Sequence, residues 1–187
     1  MKSNKINVFL AFILGFVVVF LSLLKKDITL LLFCLYLVLP FVFKIKPVIT
    51  LIYLIFGFIA IFLGLQIHLY KTTSWFDIFS HFIWGIVSGL LALIALLKLK
   101  VFDKKNIIFT ALFIFVFSLA TSGLWEVAEF TIDNIFNQDM QRMATGVNDT
   151  MKDIIIALFG NITFIFFYCF EYRENKNGLI KKFMDSL

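Results

Sequence analysis

The run IIFTALFIFVFSLATSGLW, Ile107–Trp125, places nineteen uncharged residues in a row, and Glu-Val-Ala-Glu-Phe130 follows it without a break. About 20 apolar residues of helix cross the ~30 Å hydrocarbon core of a bilayer, so the run reads as a membrane span. Glu126 and Glu129 then fall one helical turn apart at its end. A charge at membrane depth costs about 2.5 to 3.5 kcal/mol on insertion scales and usually marks a partner or a function. Those two glutamates therefore set the question of what they face.

Working outward, five more uncharged runs appear: Ile6–Leu24, Ile28–Phe43, Pro47–Ile67, Ile78–Leu97 and Ile154–Phe170. With 61% hydrophobic and 16% charged residues and a mean hydropathy of +0.99, the chain cannot hide its apolar surface in a water-soluble core. None of the runs alternates as the strands of a membrane barrel do, and backbone groups in lipid must bond internally, so helices are the practical solution. The expected fold is all-α, a bundle of six transmembrane helices over 6–24, 28–43, 47–69, 77–97, 107–134 and 149–170. One integral membrane domain spans 1–187, with a basic amphipathic tail over 171–187 lying on the inner surface.

The first run follows Lys2 and Lys5 without a small-residue cleavage site, which reads as a retained helix. Cys34 and Cys169 fall at different depths, which argues against a disulfide or a shared metal. Twelve of the seventeen Lys and Arg residues lie at the amino terminus, in the second and fourth loops and in the tail. By the positive-inside rule both termini are cytoplasmic. The preference for Lys over Arg, with abundant Phe and Ile, fits an AT-rich bacterial genome, and the expected location is the bacterial cytoplasmic membrane. The positive balance reports topology and contact with membrane lipids rather than nucleic-acid binding.

In that orientation the fourth, fifth and sixth segments bring ionisable groups to the outer end. Asp77 and His81 are four apart on one helical face, as are Asp149 and Asp153. Two tiers are expected, His81, Glu126 and Asp153 below and Asp77, Glu129 and Asp149 above, with Asp133 continuing the glutamate face outward. Small or polar residues extend each face: Gly85 and Gly89, Ser118 and Ser122, Ala157 and Asn161 with Gly160 beside them. Such faces suit close packing of the three helices, leaving the Phe-rich and Ile-rich sides to lipid.

Blander roles compete at each position. Asp77 lies three residues after Ser74 in capping-box spacing, Asp149 stands where an N-cap would, and Glu129 and Asp133 would be solvated if they rise above the bilayer. The lower trio would be structural if it only bonds helices together. Convergence of the acids, with Lys152 and Arg142 as the evident counter-charges, calls instead for shared protons or a bound cation. Asp77, His81, Glu126, Glu129, Asp149 and Asp153 are the candidate ligands of a divalent metal, whose identity stays open. His81, Glu126 and Asp153 are the candidate catalytic residues. His68, at the end of the third segment, reads as a further member or an interfacial anchor.

At Trp75-Phe-Asp-Ile-Phe-Ser-His81 with Gly85, Trp125-Glu-Val-Ala-Glu-Phe130, and Thr145-Gly-Val-Asn-Asp-Thr-Met-Lys-Asp153 with Ala157-Leu-Phe-Gly160, the sequence resembles the YjdF-like bacterial membrane proteins. The resemblance covers about residues 70 to 165 and departs from the pattern at Phe130 and Asn161. A looser likeness to VanZ-like proteins hints at envelope biology. The resemblance implies a membrane protein and no defined activity. Three functions follow from the residues: an envelope enzyme acting on a lipid or lipid-linked substrate, a proton- or cation-coupled transporter, and a structural or regulatory protein whose cluster locks helices.

Overall fold

The computed structural model describes residues 20, 36–37, 47–103, 106–137, 139–141, 146–173 and 178–185. The expected segments 6–24 and 28–43, apart from Phe20, Tyr36 and Leu37, lie outside the described residues. Every regular element among the described residues is helical: α1 Pro47–Gly57, a wide π-helical continuation Phe58–Gln66, α2 Leu69–Thr72, α3 Ser74–Lys98, α4 Ile107–Phe136, α5 Val147–Arg173 and α6 Leu179–Asp185. The chain divides into two compact units, one ending at Phe76 and one beginning at Asp77.

In the first unit, Pro47 opens α1, where its missing N–H leaves no donor unsatisfied. The Tyr36 ring stacks on Tyr53 with centroids 3.8 Å apart, and its hydroxyl donates to the Tyr53 carbonyl at 2.6 Å. The helix expected over 47–69 runs from Pro47 as far as Gln66. Beyond Gly57 the turns widen, and the chain breaks at His68, whose φ of 62° is left-handed. The break has a packing reason: α2 carries Tyr70 over Gly64, where any side chain would overlap the Tyr70 ring.

The second unit holds α4, α5 and all but the first turn of α3, the three helices among the described residues that are long and apolar enough to cross a membrane. Asn106 caps α4, its side chain accepting from the Phe109 N–H at 3.0 Å, and a left-handed Asn137 ends that helix. Along α4, Thr110, Ile114, Ser118, Ser122 and Glu126 are buried at every fourth position. Ile108, Leu112, Val116, Leu124, Val127 and Phe130 are exposed. A helix with polar groups inside and large apolar groups outside fits a hydrocarbon surrounding rather than water.

Glycine decides how closely α3 and α5 cross. A side chain at Gly85 would fall on the carbonyl oxygen of Ala157, and one at Gly160 on the carbonyl oxygen of Phe82. The two backbones are thus in direct contact, as the small-residue faces predict. Ser88 joins this pair to α4, its hydroxyl 2.7 Å from the Ser118 hydroxyl and 3.0 Å from the Gly85 carbonyl. Towards the far end of the helices, Ala92, Leu93, Ile114, Phe164 and Tyr168 form an apolar core closed by Met184. Glu171 seats α6 there by accepting from the N–H groups of Ile180 and Lys181 at 3.0 and 3.1 Å. Cys169 forms no disulfide among the described residues, and Cys34 lies outside them.

Candidate functional site

Helix α3 begins at Ser74, which puts Asp77 inside its first turn. Asp77 is buried, and its register places His81 directly below it on the same face. Helix α5 begins at Val147, straight after a left-handed Gly146, which puts Asp149 inside the first turn rather than at the N-cap. Asp153 follows one turn later and is buried.

These two starts bring three side chains together. Nε2 of His81 lies 3.5 Å from Oδ1 of Asp77 and 3.6 Å from Oδ2 of Asp153. Ligand atoms of all three residues fall within 4.8 Å of one another. Both separations exceed good hydrogen-bond length. They match the spacing of two ligands on one tetrahedral ion, about 3.4 Å for metal–ligand bonds near 2.1 Å. Among the described residues this is the group of three or more His, Cys, Asp and Glu side chains with such convergence.

Lys152 approaches from the other side of the carboxylates. Its Nζ donates to Oδ2 of Asp77 at 3.0 Å and lies 3.7 Å from both Oδ1 of Asp149 and Oδ1 of Asp153. Each of the two triad carboxylates therefore turns one oxygen to the imidazole and the other to the ammonium.

Glu126 is buried and lies within electrostatic range of Asp77 and Asp149, with the side chains of Thr150 and Gln141 in hydrogen-bonding range of its carboxyl. Gln141 also donates to Oγ1 of Thr150 at 3.0 Å and to the Glu126 carbonyl at 3.3 Å. Half-buried Glu129 interacts with Glu126, Asp153 and Asp77, and its carboxyl is in hydrogen-bonding range of the Trp125 indole. It is not fully exposed above the cluster.

Asp133 is not exposed either. It is buried and accepts from the backbone N–H groups of Met140 and Gln141 at 2.8 and 2.9 Å. That clamp orders the connection so that the Gln141 side chain reaches Glu126. Arg142 lies outside the described residues, and His68 belongs to the first unit.

All six candidate ligands thus lie in one unit, but the tightest group crosses the expected tiers. Asp77 joins His81 and Asp153 in place of Glu126, because a side chain one turn above His81 on the same face reaches the same space. Gln141 and Thr150 were not legible as site residues. Thr150 follows Asp149 in the stretch quoted above, but Gln141 sits in a loop whose path depends on the Asp133 clamp.

The architecture and the cluster define a helical membrane protein with a carboxylate–imidazole site at one end of three apolar helices. The chain belongs to the predicted membrane protein family DUF2238, whose family model matches residues 6–173. That membership is consistent with the YjdF-like resemblance, while the VanZ-like likeness finds no support in it. No curated protein and no solved structure matches the chain.

Proposed function

We propose that this is a multi-pass bacterial inner-membrane protein that binds a divalent metal ion through Asp77, His81 and Asp153 and uses the site on a lipid or envelope substrate at the extracytoplasmic leaflet. The observation that carries the reading is the spacing of His81 Nε2 from the two carboxylates, 3.5 and 3.6 Å. A bound ion would supply Lewis acidity and a water of lowered pKa. The chain's own contribution is then to orient and to move protons. His81 and the two aspartates would fix the position of the ion, Glu126 is placed to exchange a proton beside it, and Gln141 with Thr150 stands next to that carboxyl.

Two features favour a one-sided site over a transport route. The Ser88–Ser118 hydroxyl pair lies on the helix faces that continue from the cluster, and its hydrogen bond is internal. Beyond it Ala92, Leu93, Leu96 and Ile114 are fully buried. A continuous polar path would have to cross that apolar layer. The distribution of Lys and Arg supports an orientation with both termini cytoplasmic, in which the cluster lies outside.

Elemental analysis of detergent-purified protein tests the proposal. The parent should retain a stoichiometric amount of Mn or Zn after desalting, and His81→Ala and Asp153→Ala should lose it while still eluting as folded protein. Glu126→Gln, which alters a side chain outside the proposed ligand set, should keep the metal. Equal metal in the parent and in His81→Ala would overturn the assignment, and proton or cation flux into liposomes would move the conclusion to transport.

A further inference from the structure

The carboxylates of Asp77 and Asp153 each have two oxygens, and the structure uses them differently. Oδ1 of Asp77 and Oδ2 of Asp153 face His81 Nε2 at 3.5 and 3.6 Å. Oδ2 of Asp77 and Oδ1 of Asp153 face Lys152 Nζ at 3.0 and 3.7 Å, and Asp149 Oδ1 completes that second set at 3.7 Å. The same two carboxylates therefore bridge two places suited to positive charge. Carboxylates shared in this way are how two metal ions are commonly held about 3.5 to 4 Å apart.

A second observation separates this from a mere concentration of acids. Oδ1 of Asp153 is inaccessible to solvent in a residue only 4% exposed, and it has no hydrogen-bond partner. Its neighbour is the Lys152 ammonium, which stands at 3.7 Å, beyond hydrogen-bond length. A buried carboxylate oxygen is costly to leave unpaired, so this atom is aimed at a cation that approaches more closely than the ammonium does. Lys152 can leave, because its side chain is 40% exposed at the edge of the site whereas those of Asp77, Asp149 and Asp153 are 5 to 10% exposed.

We infer that Asp77, Asp149 and Asp153 form a second cation position in which Lys152 serves as a tethered ammonium in place of a second metal ion. The inference rests on the proposed metal site for its first cation and on Lys152 for its second. Lys152 then sets how many metal ions the protein takes. It is a positioning residue that neutralises the outer carboxylate oxygens and leaves the inner ones to the ion beside His81. An ammonium engaged with three carboxylates is also a poor anchor for a phosphate, so substrates recognised by direct lysine–phosphate pairing are disfavoured at this site.

The test compares metal content of the full-length protein with that of Lys152→Met, loaded with Mn²⁺ in detergent, desalted and measured per folded chain. The variant is expected to hold one ion more than the parent, and its paired Mn²⁺ should give an exchange-coupled electron paramagnetic resonance signal that the parent lacks. Lys152→Arg, which keeps the charge, should match the parent. Lys152→Gln serves as the second neutral variant if the methionine form does not fold. Equal or lower metal content in the neutral variants overturns the inference. Metal in the neutral variants but none in the parent would uphold the second position while overturning the proposed resting metal site, so the two failures are distinguishable.

Discussion

At one end of α3, α4 and α5, Asp77, His81, Glu126, Glu129, Asp149, Lys152 and Asp153 share a small space; at the other, Ala92, Leu93, Ile114, Phe164, Tyr168 and Met184 fill the same interface. The same three helices build both ends, and close backbone approach at Gly85 and Gly160 lies between them. The apolar end could hold the helices together by packing alone. The charged end cannot be explained that way, since replacing paired buried charges with apolar groups of similar volume is often neutral or stabilising. What differs between the ends is thus what each is for, and the glycine contact is what lets one support the other.

The largest effect should come from breaking the junction itself. Gly85→Ala directs a methyl group at the Ala157 carbonyl and must push two backbones apart. Overpacking a well-filled site costs about 1 to 3 kcal/mol, and the expectation here is the upper end, about 3 kcal/mol. Unfolding in mixed detergent should register that loss, and metal retention should fall with it, because Asp77 and His81 share a helix with Gly85. An unaltered unfolding midpoint would show that the helices are not in backbone contact.

A smaller effect, confined to the charged end, should follow from Asp133→Ala. Two backbone donors, on Met140 and Gln141, lose a charged acceptor. The expected loss is about 2 kcal/mol, since hydrogen bonds to charged groups contribute roughly 1.5 to 3 kcal/mol each and the freed loop regains some solvent contact. Hydrogen exchange should accelerate at residues 140 and 141 while the apolar end stays protected. Acceleration spread evenly along α4 would erase the distinction between the two ends.

The smallest effect should be Gly123→Ala, on α4 between Ser122 and Leu124, where an added side chain meets nothing within 4 Å. Alanine is the better helix former by up to about 1 kcal/mol, so stability should hold or rise slightly. A loss comparable to that of Gly85→Ala would mean that glycine content alone, rather than the α3–α5 crossing, governs the fold.

Much of this contrast was legible in the sequence because helical period and charge are local properties. The four-residue spacings of Asp77 with His81 and of Asp149 with Asp153, and the glycine and serine stripes beneath them, fix which faces meet. Lys152 was legible as a counter-charge but not as a group sharing carboxylates with the imidazole, since that depends on which oxygen each aspartate turns where. The Asp133 clamp and Gln141 were illegible because loop paths follow tertiary hydrogen bonds and carry no period. The break at His68 was hidden just past an apolar run whose only proline, Pro47, stands at its start, and the visible signals within it, Gly57 and Gly64, also suit a packed membrane helix.

The most direct test uses the fact that the chain contains only two histidines, His68 and His81. Electron spin-echo modulation on the Mn²⁺-loaded protein reads whether an imidazole nitrogen is bound to the ion. Ligation by His81 requires nitrogen modulation that persists in His68→Ala and disappears in His81→Ala. Modulation absent from the parent, or surviving the loss of His81, would contradict it.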